Sequence, residues 1–489
     1  MTKKSISRLL QASLMCCLAV LFTACDDIFA SEDNPTPAYL SMSDKPVTLK
    51  AGDTYRRKAI SVTTAVVEYT SSKTDVATVD NEGLVTAKAE GTTTITATAT
   101  GYSSQNGKKI YQPASVSYVV TVTPVAVTGL TLNKANLRFG MNAPTAQALI
   151  ADVLPADATD KTVTWTSSDP TVATVDAEGN VTPVAKGTVT ITAKAGDQTA
   201  TSSVYVYDKI HNINTDGDAV VTTKESWLIE GDVTTSVPKS ITIGAGATVT
   251  LNGLNITKGI ECLGDATIIL ADGSTNTVIG SSLKAGIVVG PSGTTLTIDA
   301  ETAGDGKLNA TGGSQSAGIG TSYSYSSDIT CGAITIKGGE ITAKGGFCGA
   351  GIGTGLTILK NYTCEAITIN GGTVTATGGD CAAGIGTGWA NGSVSNTCGA
   401  IAITANVTKV TVTKGAYSPN IMGVGYLSNG TQNCGTITFG TAQVFDGTAA
   451  TGTWSPSDPL TAGIYGGLTL AISTTTNADD TWTLTPVAP

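Results

Sequence analysis

The sequence predicts an all-β chain: two β-sandwiches followed by a right-handed parallel β-helix. Three observations carry this. Thr, Val, Ile, Ala and Gly dominate, and no long segment has an apolar period near 3.6 residues, so β-branched residues alternating with small polar ones read as strands. A segment of 27 residues occurs twice at an offset of 96. Further along, QSAGIGTS (315–322), CGAGIGTG (348–355) and CAAGIGTG (381–388) return every 33 residues.

Of the 489 residues only 13% are charged while 41% are hydrophobic, which is not the composition of a disordered chain. The formal charge of −10 and the lack of any basic run leave no electrostatic footprint for nucleic acid. The same charge repels anionic polysaccharide unless a cation bridges the two, so Ca²⁺ is the only ion admitted here and no other cofactor is expected.

The chain begins MTKKSISRLLQASLMCCLAVLFTAC, a basic start, an apolar run too short for a stable span, and small residues before Cys25. LFTAC resembles the lipobox of bacterial lipoprotein precursors, with Phe22 where Leu is usual. The resemblance implies a signal peptide over 1–24 and acylation of Cys25; an ordinary cleaved leader with a free Cys25 is the alternative. Asp26 and Asp27 resemble a surface-export signal in one group of Gram-negative bacteria and an inner-membrane retention signal in another. The surface of the outer membrane is the expected location. Residues 25–39, polar and Pro-containing, read as a tether.

The duplicated segments are SSKTDVATVDNEGLVTAKAEGTTTITA (71–97) and SSDPTVATVDAEGNVTPVAKGTVTITA (167–193), identical at 18 of 27 positions. Short alternating strands punctuated at Glu82-Gly83, Gly91, Glu178-Gly179 and Gly187 suggest a β-sandwich in each copy. Tyr69 and Trp165 occupy equivalent positions and are expected as core aromatics. The pattern resembles the bacterial immunoglobulin-like domain of group 2, over 40–124 and 125–207. That resemblance implies spacer or adhesive modules without catalysis.

From 208 to 489 the texture is Gly-rich. CGAITIKGGEITAKGGFCGAGIGTG (331–355) is followed by CEAITINGGTVTATGGDCAAGIGTG (364–388), then by a divergent copy at 398–425 and the opening of another at 434. Three short strand-like pieces per unit predict one coil of a parallel β-helix, each coil stacking on the last at the ~4.8 Å spacing of paired strands. Three inward ladders follow: Ile334, Ile367, Ile401 and Ile437; Ile336, Ile369, Ile403 and Phe439; and Ile319, Ile352, Ile385 and Val424. The segment 441–489, with Trp454 and Trp482, is expected to cap the open end.

Cys331, Cys364, Cys398 and Cys434 fall in register, as do Cys348 and Cys381; with Cys262 this makes seven cysteines in the body. Residues stacked on parallel rungs point the same way, which suits disulfide geometry poorly, so buried thiols acting as small hydrophobes are expected. Metal ligation has no CxxC or Cys/His pair to support it. Pieces such as TIILADGSTNT (267–277) resemble the carbohydrate-binding β-helix family of bacterial surface proteins, which is similar in fold to polysaccharide lyases. The resemblance implies binding of a glycan.

Catalytic groups are sparse. The half beyond 208 has no Arg, and Lys337, Lys344 and Lys360 are scattered. Asp299, Asp328 and Asp380 fall in different parts of the coil, Asp479-Asp480 at a turn, and His211, the single histidine, at a domain junction. No enzyme activity is expected. In contrast, each loop after AGIG carries aromatics: Tyr323, Tyr325, Tyr362, Trp389 and Tyr426, with Asn361, Asn391, Asn396 and Asn429 beside them. Flat aromatic faces with short amides suit a sugar, so these five aromatics are the candidate ligand-binding residues; the competing reading is that they cover the flank of the helix. The expected partner is a polysaccharide or a host or bacterial surface glycoprotein, with the membrane touched through the lipid anchor alone. A structural stalk or protein-binding adhesin, and a polysaccharide-degrading enzyme, are the other readings.

Overall fold

The computed structural model describes residues 36–37, 39–61, 65–100, 111–301, 304–445, 460–474 and 480–487. The predicted leader (1–24), Cys25, most of the predicted tether and Trp454 lie outside the described residues. Every element among the described residues is a strand, and none of them forms a helix long and apolar enough to cross a membrane.

The duplicated sequence gives two sandwiches of the same plan. In the first, a four-stranded sheet orders Val47–Lys50, Ala114–Thr123, Gly91–Ala99 and Val67–Ser71, with the first pair parallel and the rest antiparallel. A three-stranded sheet of Thr54–Arg56, Leu84–Ala87 and Ala77–Val79 packs across it. The second copy repeats this with Asn136–Gly140, Gln198–Tyr207, Gly187–Ala195 and Thr164–Ser167 facing Gln147–Ala148, Asn180–Pro183 and Ala173–Val175. Inward positions of the strands fill each core: Ile95, Val85 and Val120 in the first, Ile191, Val181 and Val204 in the second. Tyr69 and Trp165 are half-buried rather than central. Tyr69 turns its hydroxyl to accept a hydrogen bond from the Ala59 amide at 2.7 Å, while Trp165 bridges two apolar clusters.

From Lys209 the chain winds into a parallel β-helix. The first two ladders stack as the repeat spacing predicts, Ile334–Ile367–Ile401–Ile437 and Ile336–Ile369–Ile403–Phe439. Each of these side chains is essentially fully buried. The third ladder runs Ile319–Ile352–Ile385 and then Met422, not Val424, because the corner before it in the divergent copy (414–421) is only one residue longer than its counterpart (378–384). A buried aliphatic side chain is worth roughly 1.5–3 kcal/mol, and each coil adds three of them to one continuous core.

The later coils have four faces rather than three. Ile329–Cys331, Tyr362–Cys364, Ser395–Cys398 and Thr431–Cys434 form a fourth parallel sheet from what the sequence presents as loop. Its inward positions are the cysteine ladder, together with Tyr362, Asn396 and Gln432. The threonine after each AGIG piece secures this corner. The Gly355, Gly388 and Gly425 amides donate to Thr321, Thr354 and Thr387 Oγ1 one coil earlier, at 2.8, 3.1 and 2.9 Å. In turn, Thr354 donates to Asn396 Oδ1 at 2.6 Å, and Thr387 to Gln432 Oε1 at 3.2 Å, so the buried amides are satisfied. At the C-terminal end, Asp480–Pro486 pairs antiparallel with Lys409–Thr413, and Trp482 sets its ring edge-on to Phe439 at 6.0 Å. This covers the last coil and breaks the parallel run.

The second sandwich is tied to the first coils. Arg138 forms an ion pair with Glu301, whose side chain is only 2% exposed. Tyr207 donates its hydroxyl to Glu301 Oε1 at 3.3 Å, and the Asp272 amide donates to Glu301 Oε2 at 3.0 Å. Ile210 and Asn142 exchange two hydrogen bonds, the Ile210 amide donating to Asn142 Oδ1 at 3.0 Å and Asn142 Nδ2 donating to the Ile210 carbonyl at 3.3 Å.

Candidate functional site

The third face is only two residues wide, Ile352–Gly353 in one coil and Ile385–Gly386 in the next. The corners on either side of it therefore lie close together and form one rim. Backbone hydrogen bonds fix the arrangement. The Trp389 amide donates to the Cys348 carbonyl at 3.1 Å, Tyr426 to Cys381 at 2.8 Å, and Tyr417 to Asp380 at 2.7 Å. Tyr417 and Tyr426 are thus anchored on consecutive carbonyls.

The five predicted aromatics divide. Tyr362 is fully buried, an inward residue of the fourth face stacked between Ile329 and Asn396. Burial pushes its hydroxyl pKa up, and that hydroxyl caps the Ser324 backbone. Tyr323 is 7% exposed and packs with Cys348, Leu356 and Trp389. These two cannot present a face to a ligand. Tyr325 is 60% exposed, standing edge-on to Tyr323 at 4.6 Å, and Tyr426 is 42% exposed. Trp389 is half-buried; its ring lies 6.3 Å from that of Tyr426 at 56°, and its Nε1 donates to Ser428 Oγ at 2.9 Å. The two rings make a shallow V held by a hydrogen bond. Of the asparagines, Asn396 is buried in the interior and Asn361 accepts from the Ser395 amide, so both are structural.

Sequence reading missed Phe347 and Tyr417, which are 56% and 69% exposed on the same rim. Both sit in the corner before the third face, where the neighbouring coil carries Asp380. An aromatic in register with an aspartate marks an outward position, and that was the signal available.

The polar groups weighed as catalytic are dispersed. Asp299 lies on the first face, Asp328 caps the Asn361 amide at 2.9 Å beside the fourth, and Asp380 stands at the rim. His211 is buried, stacked on Trp227 at 5.8 Å, with Nε2 against the Gly217 carbonyl at 3.1 Å. No group of His, Cys, Asp and Glu among the described residues is arranged to hold a metal.

All seven body cysteines are free thiols, and all but Cys381 are buried. Burial pushes Cys262 up to about 12 and raises Cys381, while hydrogen bonding to Cys331 and Cys434 together with burial holds Cys364 and Cys398 well above the ordinary thiol value. A thiol raised in the folded chain stays protonated while the unfolded chain ionises from about pH 8.5. Above that pH the unfolded state binds fewer protons, so stability falls as pH rises towards the folded values. The urea midpoint is expected to fall steeply from pH 8 to pH 10, and less steeply in a variant with Cys364 and Cys398 both replaced by Ala, in which the raised Cys262 and Cys381 remain. A flat midpoint over that range would contradict the buried-thiol description.

Comparison with known families fits this architecture. Residues 39–110 and 126–206 match the bacterial Ig-like domain of group 2. The chain carries two of these domains. Residues 304–323, 334–356 and 367–389 match the beta helix repeat, which covers the coils that build the rim. The chain is 36% identical over 169 residues to an uncharacterized protein of Clostridium acetobutylicum, covering 34% of this chain and 16% of that one. It is 31% identical over 164 residues to ice-binding protein 1 of Shewanella frigidimarina, covering 34% of this chain and 17% of that protein. It is 47% identical over 79 residues to an Ig-like virion protein of Serratia phage KSP90, covering 16% of this chain and 30% of the phage protein. The chain thus spans less than a third of the length of these relatives.

Proposed function

We propose that this Ig-like and β-helix protein is a lipid-anchored, non-catalytic adhesin of the bacterial outer surface, binding carbohydrate through the rim of its β-helix. Ig-like domains in tandem with a β-helix fit an adhesive or structural surface role. The observation that carries the glycan reading is the cluster of Phe347, Trp389, Tyr417 and Tyr426 on one edge, three of them more than two-fifths exposed. A sugar ring stacks its C–H face on such rings, and Ser428 and Asn429 stand beside them for its hydroxyls. Lipidation at Cys25 rests on the leader and its LFTAC end.

The test is binding of the leaderless chain to a panel of plant and host glycans, with Ca²⁺ and with chelator. Trp389→Ala and Tyr426→Ala are each expected to weaken binding at least tenfold with an unchanged circular dichroism spectrum. Absence of binding to every glycan would sink this reading and favour a stalk or protein-binding adhesin, for which the exposed Phe347 and Leu359 would be the apolar contact. Release of reducing ends from any panel member would favour the enzyme instead.

A further inference from the structure

We propose that the cleft between the second Ig-like domain and the first coils is a separate carbohydrate site, shaped for a short neutral oligosaccharide. It has a volume of about 750 Å³, within the ~300–1,000 Å³ of small-molecule sites. Two β-surfaces face each other across it. On the Ig-like side Thr188 pairs across strands with Tyr205 and Thr190 with Ser203, so three hydroxyl-bearing residues neighbour Tyr205, whose ring also has the Arg138 guanidinium over it, 5.6 Å from the centroid. On the helix side Ser226 and Thr248 are neighbours in one ladder and Thr250 and Ile269 in the next.

The charges in the cleft are already paired. Lys186 Nζ lies 3.1 Å from Asp208, and Glu301 is taken by Arg138. A charged ligand would have to displace one of these pairs, whereas a neutral polyol would not. In contrast, Thr188, Thr190, Ser203 and Thr248 contribute neutral hydroxyl side chains to the lining. They line the cleft as donors and acceptors at short spacing, the chemistry that recognises sugar hydroxyls. The walls are fixed by ties at three places, Lys186 to Asp208, Arg138 to Glu301 and Asn142 to Ile210. A ligand therefore finds the cleft formed and does not have to order it.

This site does not depend on the rim, and the two fail separately. The leaderless full chain is titrated calorimetrically with xylohexaose, cellohexaose and chitohexaose, all neutral. Thr190→Arg fills the cleft from an outward, exposed position of its strand and leaves the sandwich core untouched. Tyr205→Ala is the second variant, and circular dichroism checks both folds. A double Trp389→Ala, Tyr426→Ala variant removes the rim. The rim variant is expected to keep its affinity for at least one probe, and Thr190→Arg and Tyr205→Ala to lower that affinity at least tenfold. Loss of all binding in the rim variant would overturn the cleft and leave the rim standing. Undiminished binding in Thr190→Arg, or no binding of any probe by the unaltered chain, would also overturn it.

Discussion

Replacing Gly353 by Ala is expected to prevent the β-helix from closing its coils, at a cost above ~4 kcal/mol, the range reserved for severe core defects. Two effects combine. The φ of 132° is one that side-chain-bearing residues rarely adopt, worth about 1–3 kcal/mol by itself. In addition, a Cβ at Gly353 would stand 1.9 Å from the Gly386 carbonyl oxygen. That oxygen belongs to the backbone of the next coil, whose distance is set by hydrogen-bonded ladders on four faces, so it cannot move away alone. Gly293→Ala is the control. Its φ is 82° and its Cβ would meet nothing within 4 Å, so only the dihedral strain remains, about 1 kcal/mol. Urea unfolding of both variants tests the difference. A Gly353→Ala midpoint equal to that of Gly293→Ala would mean that the corner relaxes and that the third face does not set the coil spacing.

This clash also accounts for what could be read from the sequence. A β-helix stacks chemically equivalent positions, so a period of 33 residues translates directly into register, and Ile334 over Ile367 needs no further information. The same logic correctly aligns Cys331, Cys364, Cys398 and Cys434. It fails where the repeat is imperfect. Met422 replaces Val424 in the third ladder because the preceding corner differs in length from copy to copy.

The fourth face was hidden for a different reason. Its strands are three or four residues long and carry Tyr, Asn and Gln at an inward position, where the other faces carry Ile and Val. Polar residues there read as loop, and their burial depends on the Thr354 and Thr387 hydroxyls from another face. No local pattern contains that partnership. Tyr362 reads as a ligand contact for this reason, since its neighbours in sequence are polar and nothing local shows that it turns inward between Ile329 and Asn396. Phe347 and Tyr417 precede the third face, in a corner where the repeats carry no recurring aromatic, whereas the loop after that face carries one in every copy.

Glu301→Ala is expected to uncouple the second Ig-like domain from the β-helix. The carboxylate is 2% exposed and serves three partners at once: Arg138, the Tyr207 hydroxyl and the Asp272 amide. Its removal leaves a guanidinium, 20% exposed, without its counter-ion, and Arg138 Nε already lacks a partner. Breaking a buried pair from one side costs about 3–5 kcal/mol, because the remaining charge is desolvated without compensation. Loss of that tie should separate one calorimetric transition into two and broaden the distance distribution in small-angle scattering. Glu301→Gln keeps the acceptor for Tyr207 and should lie between the two. The double change Arg138→Met, Glu301→Leu removes both charges and should recover much of the loss, since an apolar contact of similar volume often matches a buried ion pair. If the single and double variants fall equally, the cost comes from packing at the junction and not from the stranded charge. If neither differs from the unaltered chain, the Asn142–Ile210 and Lys186–Asp208 contacts hold the domains without it.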